Sequence, residues 1–94
     1  MRLTEAQRQS IKSAVTSVIG EASRVWLFGS RVDDAKRGGD IDLYVETSPH
    51  RLMDELRCKQ YLEEALDIPV DLIVRRPGDN SPIAVIARTE GIAL

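Results

Sequence analysis

The chain has 94 residues, 43% hydrophobic and 30% charged, with a net charge of −2, which suits one independently folding domain (1–94) and excludes strong non-specific attraction to nucleic acid. The single Cys58 excludes an internal disulfide and a cysteine zinc cluster and fits a reducing compartment. No apolar run approaches a membrane span and the polar start is unlike a secretory signal, so a cytoplasmic domain without membrane contact is expected.

Thr4-Glu5-Ala6-Gln7 has the form of a capping box and opens a first helix. Ile11, Ala14, Val15, Val18 and Ile19 recur at helical spacing before Gly20 ends the element. This helix covers the core and carries no evident chemistry. The first strand, Arg24–Phe28, is apolar on both faces and is expected inside a sheet. Trp26 within it could stack on a base, but a core or interdomain contact is the expected reading.

The strand breaks at Gly29-Ser30. Glycine after a strand lets a ligand approach the backbone, and serine there can cap a short helix over about 30–35. Backbone N–H groups at such a turn attract phosphate, and Arg31 adds a fixed positive charge beside them. Gly29, Ser30 and Arg31 are therefore the candidate phosphate-binding residues. Asp33 and Asp34 read as surface acids, and Lys36 and Arg37 as a solvated loop tip rather than phosphate contacts.

The second strand, 40–46, turns Ile41, Leu43 and Val45 to one side and Asp40 and Asp42 to the other, about 7 Å apart along the strand. Two carboxylates side by side repel each other and gain nothing from a core. A hard divalent cation resolves that repulsion, and Mg²⁺ is the default, which makes Asp40 and Asp42 candidate metal ligands. Glu46 shares their face, but its place at the far end argues against a third ligand.

Ser48-Pro49 supplies a cap and a proline at the first helical position, and the helix is expected to reach about Leu66. Leu52, Leu56, Leu62, Ala65 and Leu66 are its expected inward stripe. His50 reads as an exposed histidine. Cys58 has no histidine at useful spacing and reads as inert, and Met53 and Tyr61 need no role beyond packing or partner contact.

Pro69 opens a third strand, 70–74, in which Val70, Leu72 and Val74 share a face and Asp71 interrupts the other. A lone carboxylate there costs free energy unless something pairs with it. Either an arginine forms a salt bridge to it, or Asp71 joins Asp40 and Asp42 as a third catalytic and metal-binding acid. Ser81-Pro82 starts a last helix with Ile83, Ile86 and Ala87 inward. Ile92 and Leu94 then close as a strand or a tail.

Gly29-Ser30, nine intervening residues and Asp40-Ile41-Asp42-Leu43 resemble the signature of the DNA polymerase β nucleotidyltransferase superfamily. The wording GSR…GGDIDL and the short chain are similar to its smallest members, the minimal nucleotidyltransferases, though Gly39 stands where that family often has serine. Val70-Asp71-Leu72 matches the family's hydrophobic–acid–hydrophobic third carboxylate, which favours the functional reading of Asp71.

The resemblance implies an α/β (α+β) fold, a small mixed β-sheet with helices packed on one face. It implies transfer of a nucleoside monophosphate, AMP from ATP, to an acceptor hydroxyl. Mg²⁺ on Asp40 and Asp42 would hold the triphosphate, and a second ion shared with Asp71 would serve the acceptor. Minimal members are commonly paired with a helical HEPN partner, a candidate RNase toxin, whose tyrosine the antitoxin can modify with AMP. The alternative is a catalytically silent antitoxin that neutralises its partner by contact. Homo-oligomerisation stays open on the sequence.

Overall fold

The computed structural model describes residues 3–29, 39–48 and 50–94. The capping box forms as its residues require: the Gln7 N–H donates to Thr4 Oγ1 at 3.0 Å, and the Thr4 N–H donates to Gln7 Oε1 at 2.9 Å. It starts α1 (Glu5–Ala14), which continues into a π-helical turn, Val15–Ile19. The remaining elements are β1 (Arg24–Phe28), β2 (Ile41–Glu46), α2 (Leu52–Leu66), β3 (Val70–Arg75), α3 (Pro82–Glu90) and the short β4 (Ile92–Ala93).

The four strands form one sheet in the order β3-β2-β1-β4. β1 is antiparallel to β2 and to β4, whereas β2 and β3 run parallel with α2 as the crossover between them. Three α-helices and a mixed sheet make the expected α+β fold.

Strand alternation divides the apolar residues between two faces. Val25, Leu27, Ile41, Leu43, Val45, Val70 and Val74 point to one, where Ile11, Ala14, Val15, Cys58 and Leu62 close the main core. Trp26, Phe28 and Tyr44 point to the other, beneath Ala84 and Ala87 of α3. The expectation of helices on one face holds for α1 and α2, and is corrected for α3, which packs across the opposite face. Ala87 is buried and Ile83 partly buried as expected, but Ala84 takes the inward place expected of Ile86, which is exposed. Small residues there let the helix sit close on the aromatic rings. The same closeness fixes Gly91, where a Cβ would stand 2.7 Å from the Leu27 carbonyl oxygen.

α2 also departs from expectation at its start and in its phase. Its N-cap is Arg51 rather than Ser48, and no side chain caps it; Pro49 lies outside the described residues. The His50 ring instead folds onto the first turn, with Nε2 2.5 Å from Glu55 Oε2. Cys58 and Leu62 form the buried stripe, whereas Leu52 is 68% and Leu56 52% exposed, and Ala65 is exposed too. Apolar residues surround most of this helix, so periodicity alone allowed more than one inward face. At its other end Asp67 adopts a left-handed conformation (φ 54°), and the Val70 N–H donates to Glu63 Oε2 at 2.9 Å, fixing where β3 begins.

Candidate functional site

The face that carries α3 is ordered in rows by strand register. Phe28 pairs with Asp42, and Asp42 with Asp71; Trp26 pairs with Tyr44, and Tyr44 with Ile73; Arg24 pairs with Glu46, and Glu46 with Arg75. In a parallel pair, in-register residues point the same way across strands about 4.8 Å apart. Asp42 and Asp71, distant in sequence, are thereby brought together.

Asp40 precedes β2 at the same end. Asp42 is half-buried, and its carboxyl is raised above the usual range, first by burial and then by the charges of Asp71 and Asp40. Asp42 thus feels both of the other acids as like charges. Asp71 makes no ion pair among the described residues, so the salt-bridge reading of this acid finds no partner there.

Gly29 follows β1 directly with φ at 77°, a conformation that favours glycine. A Cβ on Gly29 would overlap the Asp42 carboxylate, with Asp42 Cγ only 3.0 Å away. The turn is therefore glycine for a second reason that the sequence did not reveal. It presses backbone against an acid of the candidate site. Ser30 and Arg31, with Asp33, Asp34, Lys36 and Arg37, lie outside the described residues.

The donor set can be tested against Mg²⁺ from its own chemistry. A carboxyl raised by neighbouring acids, as Asp42 is, is relieved by a cation, and Mg²⁺ is commonly held by one or two carboxylates together with substrate phosphates. Among the described residues no three acidic, histidine or cysteine side chains form a ready cage for a single ion. The residues therefore fit open sites, Asp40 with Asp42 and Asp42 with Asp71, that substrate oxygens would complete.

Other candidates resolve differently. Glu46 is 5% exposed and accepts hydrogen bonds from Arg88 Nη1 at 2.6 Å and from the Tyr44 hydroxyl at 3.1 Å. Burial, reinforced by Glu46, pushes the Tyr44 hydroxyl up to about 12 and keeps it a donor. Glu46 is thus separated from Asp42 by Tyr44 and ties α3 to the sheet. Arg88 was missed as its partner because 42 residues separate them. Trp26 is buried, 5.7 Å from the Tyr44 ring centroid, and so belongs to the core. Cys58 is buried, its thiol pushed up to about 11 by desolvation, which leaves it unreactive.

No helix among the described residues is long and apolar enough to cross a membrane. The family model described as polymerase beta, nucleotidyltransferase matches residues 9–94. No curated protein matches the chain.

Proposed function

The chain belongs to the polymerase beta nucleotidyltransferase family, and from that premise we propose that it moves AMP from ATP to a protein hydroxyl, with the row of Asp42 and Asp71 as its centre. The observation that supports this most is the parallel register. It sets two mutually repelling acids beside each other, against a glycine that admits no side chain.

In this reading Asp40 and Asp42 would hold one Mg²⁺ ion, and Asp42 with Asp71 would hold a second. When bound, these ions offset phosphate charge and lower the pKa of the attacking hydroxyl. Gly29 keeps the wall beside Asp42 free of a side chain, and Ser30 and Arg31 follow as the phosphate turn. The acceptor oxygen forms a bond to the α-phosphorus while the bond from that phosphorus to the β-phosphate bridging oxygen breaks. Pyrophosphate leaves, and Asp71 accepts the hydroxyl proton.

The acceptor we propose is a tyrosine of a helical HEPN-type toxin, which makes the chain an antitoxin. The sequence resemblance to minimal nucleotidyltransferases supports this reading. Asp71→Asn separates the roles. It is expected to keep most Mg²⁺–ATP binding and an unchanged Tm while losing transfer of labelled AMP to the co-purified partner. If the partner gains no AMP mass with wild-type protein, ATP and Mg²⁺, yet is neutralised on contact, the silent antitoxin replaces this reading.

A further inference from the structure

At the other end of the parallel strand pair, a cavity of about 400 Å³ opens beside the C-termini of β2 and β3. Thr47, His50, Val74, Arg75, Arg76 and Asp79 are among its lining residues. The volume is that of a small-molecule site, and apart from Val74 the lining residues are polar or charged.

Its arginines are not used up by the fold. Arg75 is in register with Glu46, but that carboxylate is taken by Arg88 and the Tyr44 hydroxyl. Arg75 Nη1 donates to the Val74 carbonyl at 3.0 Å, which occupies one arm of the guanidinium fork, and its charge is felt by Asp79, whose carboxyl is lowered first by its hydrogen bonds with Ser81. Arg76 is exposed and forms no ion pair among the described residues. The His50 ring is fixed by Glu55, and Asp79 Oδ1 accepts from the Ser81 N–H at 2.7 Å. Two arginines that both line the cavity offer planar guanidinium forks that match phosphate oxygens. Asp79 is the acid that opposes an anion here.

We propose that this cavity is a second site, independent of the carboxylate row, which binds the phosphate group of a nucleotide-sized ligand through Arg75 and Arg76. No metal is needed, because the arginines supply the positive charge.

Calorimetry of the full chain in EDTA tests this with AMP, inorganic phosphate and adenosine as probes. AMP is expected to bind, inorganic phosphate to compete with it, and adenosine not to bind. Arg76→Ala and Arg75→Ala should each weaken AMP by roughly tenfold, the worth of a charged hydrogen bond, with Tm unchanged. Asp79→Asn should tighten it, and Asp42→Asn should leave it unaltered. Absence of AMP binding, equal binding of adenosine, or affinity that survives both arginine variants overturns the site. Loss of AMP binding in Asp42→Asn would place the nucleotide at the carboxylate row and equally overturn it, while leaving the transferase reading intact.

Discussion

The two ends of β2 treat the same chemical group in opposite ways. At the C-terminal end, Glu46 is almost fully buried and satisfied, by a guanidinium at 2.6 Å and a tyrosine hydroxyl at 3.1 Å. Toward the N-terminal end, Asp42 is half-buried, and its strongest electrostatic neighbours are two further acids. Both residues lie on one face of one strand, separated by Tyr44. A buried carboxylate that is paired supports the fold, whereas one that is crowded by like charge opposes it. The end crowded by like charge is therefore where an added cation would gain most. The paired end is where a structural arginine already stands.

This contrast is most sharply broken by Asp42→Asn. Removing the shared acid of both open sites is expected to lower nucleotide transfer by on the order of 100-fold or more, the scale of several kcal/mol of charge stabilisation. A radiolabel transfer assay at near-normal rate would remove Asp42 from the centre. Gly29→Val is next. With φ at 77° and the Asp42 carboxylate in the way, the variant should lose about 1–3 kcal/mol of stability and weaken Mg²⁺–ATP binding together. Unchanged denaturant midpoint and unchanged binding would show that the turn tolerates a side chain.

At the paired end, Glu46→Gln should cost about 1–2 kcal/mol through loss of the charged hydrogen bond from Arg88, with Mg²⁺–ATP affinity preserved. Chemical denaturation reads the first and calorimetry the second, and a selective loss of ATP binding would make Glu46 a site residue after all.

The smallest effect is one of sign. The folded-state pKa of Asp42 is raised above 3.8, so its ionisation in the folded protein opposes stability. This penalty is present above the raised pKa and is relieved as pH falls through it toward 3.8. Asp42→Asn should accordingly have a slightly higher Tm than wild type at neutral pH, with the gap closing in acid. A gap that widens in acid would mean that Asp42 is stabilised in the fold by a positive partner.

Much of this arrangement was legible locally. Thr4 and Gln7 announce their helix, Pro69 and Ser81-Pro82 mark the starts of later elements, and period-two alternation puts Asp42 and Asp71 on the face opposite the main core. What could not be read depends on contacts distant in sequence. The inward face of α2 is chosen by α1 and the sheet, and Leu52 and Leu56 are as apolar as Leu62. The position of α3 depends on Ala84 and Ala87 fitting Trp26 and Tyr44. Gly29 reads as a turn residue alone, because its distance to Asp42 is set by the pairing of β1 with β2.

The π-helical turn at Val15–Ile19 has a consequence for how this chain can change length. A π turn holds one residue more than the α-helical frame around it, so the Gly20 N–H reaches back five positions, to the Val15 carbonyl at 3.0 Å. Excising a residue such as Ser17 is expected to convert that closure to an ordinary four-residue one, with Ile11 and the start of β1 keeping their places. The first helix thus contains a position where a deletion can be absorbed locally, without a frame shift in the packing of everything that follows.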